Sequence, residues 1–302
     1  MESLLQKVKS KMFIFAHRRA KGLLDGEYGS VFKGRSLDFD DLRAYIAGDE
    51  VRDIDWKATA RHGSPLIKRY VAVRKQNVLL VTDTGTNMAA LSRGGELKRD
   101  VAVMALGVVG YLAVRHSDTV ALVCGDSVQT RAVPARGSEG HLELLLRTVH
   151  RHTSADSAPS NIEDQLRYIA RSFRQRHLIF VVADELEATP GLEQVLRRLA
   201  AQHEILWLTL EDAELIDSAS TTGAARATSG DVHDVGQGRP LLTRLSRRET
   251  IAAQYREHVA VRDAERKALL RRVGVVEGRV GGSGDVMRAI FDLLERHRRA
   301  KQ

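Results

Sequence analysis

The clearest pattern lies in the middle of the chain, where short continuous apolar runs alternate with longer helical ones. Asn77–Asp83 (NVLLVTD) is an unbroken apolar run ending in an acid, and His177–Asp184 (HLIFVVAD) repeats that form. Thr119–Cys124, Val128–Val133 and Glu204–Leu210 (EILWLTL) read as further strands. Glu96–His116, His141–His150 and Leu192–Gln202 read as helices between them. Ser160-Asn161-Ile162-Glu163 has the S-x-x-E form of a capping box and predicts the start of another helix, running to about Arg174. Strands that are apolar throughout, instead of alternating, are covered on both faces. The alternation of strand and helix therefore predicts a doubly wound, Rossmann-type α/β domain with a mostly parallel sheet.

The flanks are less regular. A basic helix is expected over residues 1–21, a turn-rich, β-rich segment over 22–76, and the α/β domain over 77–302. Within the last of these, Asp217–Gly230 is a Ser/Thr/Gly/Ala-rich loop, and Val232–Thr243 reads as a hairpin around Gly236-Gln237-Gly238. Arg247–Arg272 reads as a charged helix, Val273–Val280 as a last strand, and Gly284–Arg299 as a closing helix with a core-facing Leu293 and Leu294 stripe.

Composition narrows the setting. Aromatic residues make up only 5% of the chain, so the core must be built from Val, Leu, Ile and Ala. The lone Cys124 closes an apolar run and cannot form an internal disulfide, which fits a buried thiol in a reducing, cytoplasmic setting. Met12–Ala16 is too short for a signal-peptide core, and the apolar stretch Val101–Val114 falls short of the ~20 residues that cross a bilayer. That stretch instead predicts a helix buried all round. The net charge of +8 favours acidic partners, with Lys7, Lys9, Lys11, Arg18, Arg19, Lys21, Arg296, Arg298, Arg299 and Lys301 gathered at the two ends. No helix-turn-helix, zinc or aromatic-platform signature accompanies them, so nucleic-acid binding is a weak alternative and solvated helix faces the simpler reading.

In open parallel sheets, ligands sit beyond the carboxyl ends of the strands, where the strand order reverses. Asp83 and Asp184 occupy two such ends. If their strands are neighbours, the carboxylates converge on a spot suited to a hard cation such as Mg²⁺ or Mn²⁺. The simpler alternative is that each Asp caps the loop or helix that follows. The run Asp83-Thr84-Gly85-Thr86-Asn87 resembles the Asp-x-Ser-x-Ser motif of the von Willebrand factor A metal-ion-dependent adhesion site, whose cation is completed by a partner's carboxylate. The likeness is degraded: Gly85 has no ligating side chain, Asn87 replaces a hydroxyl with an amide, and Thr86 falls at the wrong parity. Ser160 would supply the later hydroxyl and Asp184 the later acid. The resemblance thus implies a partner-binding surface of Asp83, Gly85, Thr86, Asn87, Ser160 and Asp184. Asp83, Asn87, Ser160 and Asp184 would be its metal ligands. A fainter likeness, to the D-x-D-G-T of haloacid-dehalogenase-type phosphatases, would make Asp83 and Asp184 parts of a metal-dependent phosphoryl-transfer site, but Gly85 stands where the second acid is needed.

The stretch Gly34–Tyr70 is dense in Asp and Arg, and Gly48-Asp49 reads as a turn. Arg forks match carboxylates and stack on rings, so an ion-pair network around Trp56 is expected. The order Phe39, Leu42-Arg43-x-Tyr45, Gly48-Asp49-x-x-Arg52-x-Ile54-Asp55-Trp56, Ala60-Arg61, Lys68 and Tyr70, leading into the strand that ends in Asp83, resembles the domain-of-unknown-function 58 family. The family's usual upstream His-x-Ser is replaced by Tyr28-Gly29-Ser30. Arg43, Tyr45, Gly48, Asp49, Arg52, Asp55, Trp56 and Arg61 are the structural signature. The resemblance implies a von Willebrand A-like domain preceded by a small β-rich insertion. It also implies a non-enzymatic adaptor for unidentified client proteins, working with a MoxR-type AAA+ ATPase in assembly or chaperone-like work. Many members carry transmembrane helices near the N-terminus; this chain reads as a short, soluble one.

Overall fold

The computed structural model describes residues 3–18, 38–46, 49–71, 76–184, 187–213, 233–234, 239–240 and 249–300. They belong to two compact units, one made of Met1–Val31 and Asn77–Gln302, the other of Phe32–Gln76. Helix α1 (Leu4–Arg18) belongs to the larger unit.

The smaller unit pairs β1 (Asp38–Ala44) with β2 (Leu66–Val71) in antiparallel register, Ala44 opposite Leu66. Between them lie a 3-10 turn at Val51–Asp53 and helix α2 (Trp56–His62). The Asp55 carboxylate caps α2 by accepting from the Ala58 amide at 3.0 Å, and Gly63 ends it at φ +82°, a conformation that favours glycine. Arg43 grips Asp49 with both fork nitrogens, at 2.8 and 2.7 Å, while Asp49 also accepts from the Ile46 amide. The Tyr45 amide donates to Pro65 O at 3.0 Å.

Among the described residues, the Arg stacking expected at Trp56 is not found. Trp56 is 65% exposed, because it opens a seven-residue helix with no buried position. Arg52 pairs with Glu50, and Arg61 bonds its own helix at Lys57 O. Gly48 lies outside the described residues.

In the larger unit the apolar runs become strands and the periodic ones helices. In chain order these are β3 (Asn77–Asp83), α3 (Lys98–Arg115), β4 (Thr119–Gly125), β5 (Thr130–Arg136), α4 (Glu139–His152), α5 (Ile162–Ser172), β6 (Leu178–Ala183), α6 (Pro190–Gln202) and β7 (Glu204–Leu210). A two-residue pair follows, β8 (His233–Asp234) with β9 (Arg239–Pro240), then α7 (Glu249–Arg272), β10 (Val276–Val280) and α8 (Val286–Ala300). The Asp217–Gly230 loop and the Gly236–Gly238 turn lie outside the described residues.

The six strands of the main sheet run in the order β10-β7-β6-β3-β4-β5. Neighbours are parallel except for β5, which returns antiparallel to β4 at the edge. Counted along the chain, this is the doubly wound order 3-2-1-4-5-6, which reverses between β3 and β6. One face packs Leu79, Val81, Ile179, Val181 and Trp207 against Leu166 and Ile169 of α5, Leu196 and Leu199 of α6, and Leu269 and Leu270 of α7. The other face is covered by α3, with α4, α1 and α8 around that helix. So enclosed, α3 buries residues on all its sides from Val101 to Ala113. Gly107 allows α1 to approach, since a Cβ there would lie 2.6 Å from Val8 Cγ2. Among the described residues no helix is long and apolar enough to cross a membrane.

Candidate functional site

Where the order reverses, the carboxyl ends of β3 and β6 lie side by side, the position at which open parallel sheets hold ligands. Thr82 pairs with Val182 across these strands, so Asp83 and Asp184 leave adjacent tips one and two residues further on. Asp83 is 2% exposed. Its carboxylate accepts the Gly85 amide at 2.5 Å and the Asn161 amide. Burial outweighs these bonds and pushes its pKa up to about 6, with repulsion from Asp184 adding to the rise. The Ser160 hydroxyl turns toward the same carboxylate closely enough to favour its charge. Ser160 Oγ is buried and meets no other partner there.

Gly85 is fixed by space. A Cβ on it would sit 2.5 Å from Ser160 Cα and N and 2.6 Å from Oγ, so only glycine lets the two loops meet. The turn is held on both sides: the Thr84 amide donates to Gly125 O at 2.7 Å, and the Thr86 amide to Ala158 O at 3.0 Å. The hydroxyls of Thr84 and Thr86 are buried without partners. Asn87 is half-buried in the 3-10 turn Thr86–Ala89.

Ser160 and Glu163 do not form the expected capping box. Asn161 precedes α5 and makes no side-chain cap, because the Asp83–Gly85 turn draws Ser160 to itself. Glu163 instead accepts from Thr189 at 3.0 Å and pairs with Arg167, tying α5 to the start of α6.

Two residues outside the sequence-based set complete the site. Lys98, the first residue of α3, is 1% exposed; its Nζ donates to Asp184 Oδ1 at 2.7 Å and to Asp212 Oδ1. Asp212 follows β7, its backbone bridged to that of Ser92, and its side chain is 44% exposed. Burial disfavours the Lys98 charge, but Asp184 and Asp212 outweigh it and raise its pKa above the ordinary lysine value. Asp212 repeats the strand-then-acid form of Asp83 and Asp184, which was a usable signal. Lys98 stands one turn before the uncharged run of α3, on a helix buried all round, and that placement was its only sign.

A divalent cation does not fit this donor set as it stands. Asp184 is engaged by Lys98, Asp83 by two amides, and Gly85 offers no donor. Among the described residues no group of three or more His, Cys, Asp or Glu side chains gathers as metal ligands would. Of Asp83, Asn87, Ser160 and Asp184, the structure brings Ser160 onto Asp83 and places Asp184 within electrostatic reach of it.

Strand order and site define the class: a doubly wound, Rossmann-type α/β protein with acids at its topological switch point. Similar solved structures include an aerotolerance-related membrane protein from Bacteroides fragilis, at TM-score 0.45 and 14% identity over 73% of this chain and 99% of that one. Another is a von Willebrand factor type A protein from Catenulispora acidiphila, at TM-score 0.42 and 10% identity over 76% of this chain and 43% of that one. The chain belongs to the family described as Protein of unknown function DUF58, whose model matches residues 41–259. The uncharacterized proteins Rv1480 of Mycobacterium tuberculosis and Mb1516 of Mycobacterium bovis are each 28% identical over 268 residues, spanning 78% of this chain and 83% of theirs.

Proposed function

We propose that this chain is a non-enzymatic, cytoplasmic protein-interaction module. It acts as an adaptor with a MoxR-type AAA+ ATPase in protein assembly or chaperone-like work, and docks through the strand-tip site at Asp83, Gly85, Thr86, Asn87, Ser160 and Asp184. The observation that carries this reading is the Asp83 turn itself. It sits at the switch point, buries a carboxylate against its own preference, and leaves the Thr84 and Thr86 hydroxyls without partners. Unused polar capacity of this kind calls for an explanation beyond folding, and a perturbed acid at a topological switch point is a candidate for binding. The ATPase partner comes from the family resemblance.

Two features weigh against catalysis. The Cys124 thiol is buried and pushed up to about 12, away from nucleophilic use. Lys98, the lysine beside the strand-tip acids, is enclosed and paired with two carboxylates, so it is not free to meet a transferring phosphoryl group.

The test is a pull-down of a MoxR-type ATPase by the tagged chain. Wild type retains the ATPase, and Asp83→Ala retains several-fold less while keeping its circular dichroism spectrum. Equal retention by a folded Asp83→Ala removes the strand tips from the docking site, and no retention by wild type removes the partner.

A further inference from the structure

We propose that the outer side of β10 is an interaction surface, which takes an extended, acidic segment of a partner protein as an added strand. β10 ends the six-stranded sheet, and no other described strand pairs with its outer side. The Val280 carbonyl accepts the Glu211 amide at 2.9 Å, so Val280 turns its backbone groups toward β7. Alternate residues of a strand paired in parallel do the same. Val276 and Gly278 therefore also face β7, while Glu277 and Arg279 turn their amides and carbonyls outward. The opposite border of the sheet is blunted, since β5 carries Pro134 and its pairing with β4 slips between Val120 and Leu122. β10 (VEGRV) has neither a proline nor a bulge.

A cavity of about 580 Å³ lies along this side of the sheet. Lys267 and Arg271 of α7 line it from one face, Arg296 of α8 from the other, and Glu277 and Arg279 from the strand itself. Charge selects the occupant. Asp263 already serves three cations, Arg266, Lys267 and Arg279, and Glu277 is taken by Arg266 and Thr209. Arg271 and Arg296 are exposed, and among the described residues neither pairs with a carboxylate; Arg296 Nε donates to Asp292 O of its own helix. Successive side chains of an added strand point to opposite faces. One carboxylate then reaches Lys267 and Arg271 and the next reaches Arg296, while the backbone pairs with Glu277 and Arg279. A second copy of this chain would bring another set of cations to the same border, which opposes self-pairing. A nucleic acid carries the right charge but has no backbone amides with which to continue a sheet.

This surface is separate from the strand tips, and its test needs no ATPase. The probe is a fluorescein-labelled peptide repeating Val-Glu-Asp, compared with the same peptide N-methylated along its backbone, and binding is read by fluorescence anisotropy. The unmodified peptide should bind. Methylation should abolish binding, because a methylated amide cannot donate to a neighbouring strand although the charge is unchanged. Reversing both free cations, Arg271→Glu with Arg296→Glu, should weaken binding roughly tenfold in a chain whose circular dichroism is that of wild type. The Glu277 amide should exchange its hydrogen more slowly once peptide is added. Equal binding of the methylated peptide, or tighter binding of an oligothymidylate, overturns the proposal, since β10 would then attract charge without accepting a strand. No binding of the unmodified peptide overturns it as well, leaving the cations as a guard against aggregation. A dimeric chain whose Glu277 amide is protected without peptide also overturns it, with a second copy in the partner's place. If the double variant does not fold, the methylated peptide decides on wild type alone.

Discussion

Burial works against the Asp83 carboxylate more strongly than its amide donors support it, so its pKa sits at about 6 instead of 3.8. The folded state therefore holds the Asp83 proton more tightly than the unfolded chain does. The stability this contributes is fully present below about pH 4, is lost as pH rises through about 6, and is absent above that. Asp83→Asn keeps an acceptor for the Gly85 amide and removes the charge. It should leave stability unchanged near pH 4 and raise it at pH 8 by up to about 3 kcal/mol. Urea denaturation of both proteins at the two pH values checks this, and a variant no more stable than wild type at pH 8 would contradict it. With the pull-down, the experiment separates two roles of one residue: at neutral pH Asp83 weakens the fold, and the proposed docking explains why the site nonetheless carries it.

At the scale of elements, α1 shows what charge patterning alone misses. Its basic residues were read as a solvated face, yet Leu5 and Val8 are buried against the helices beneath. Glu143 of α4 closes the N-terminus of α1, accepting from the Ser3 hydroxyl at 3.0 Å and from the Leu4 and Leu5 amides at 3.2 and 2.7 Å. A carboxylate on free helix amides also meets the positive end of the dipole. Glu143→Ala should cost about 1–2 kcal/mol and release the α1 amides to hydrogen exchange ahead of the sheet. Unchanged α1 protection would show that Leu5 and Val8 hold the helix unaided. The sheet, by contrast, was legible from the sequence, because doubly covered strands leave an unbroken apolar run and β3, β6 and β7 each fall within a residue of its limits. The capping box at Ser160 was misleading because the pattern is local, while the force on that serine comes from Asp83, far away in sequence and brought close by folding. Lys98 and Asp212 escaped notice for the same reason. Lys98 is not unusual in its own segment, and although Asp212 repeats the strand-then-acid form, the meaning of both lies in the contact between a helix start and the ends of β6 and β7.

Across the whole molecule the sheet carries opposed titrations at its two ends. At the carboxyl edge Asp83 loses stability as pH rises. At the amino edge His177 and His203 lead into β6 and β7, with their rings 5.7 Å apart and Phe173 edge-on to His177 at 5.3 Å. The His203 Nδ1 accepts the His177 amide at 3.2 Å, while its Nε2 is buried without a partner. Burial lowers the His203 pKa to about 4, with His177 adding repulsion, and burial lowers the His177 pKa as well. Glu204 lies at the same edge but is already paired with Arg176 at 2.6 Å, which weakens any pull it would exert on an imidazolium there. The unfolded chain therefore binds a proton at His203 below about pH 6.5 that the folded one refuses until about pH 4, so this contribution to stability is lost as pH falls through that window, and His177 is shifted in the same direction. Between pH 4 and 6 the two ends thus slope in opposite directions, and in wild type they offset each other. Asp83→Asn removes the falling component, so its advantage over wild type should grow as pH is raised from 4 to about 6 and level off above that. His203→Asn keeps an acceptor for the His177 amide and removes the rising component, so its stability relative to wild type should improve as pH is lowered over the same range. Chemical denaturation of the three proteins at half-unit pH steps would resolve the divergence. Parallel curves for His203→Asn and wild type would mean that His203 gains its proton as readily in the folded chain as in the unfolded one, and the amino edge would then exert no control over how acid unfolds the protein.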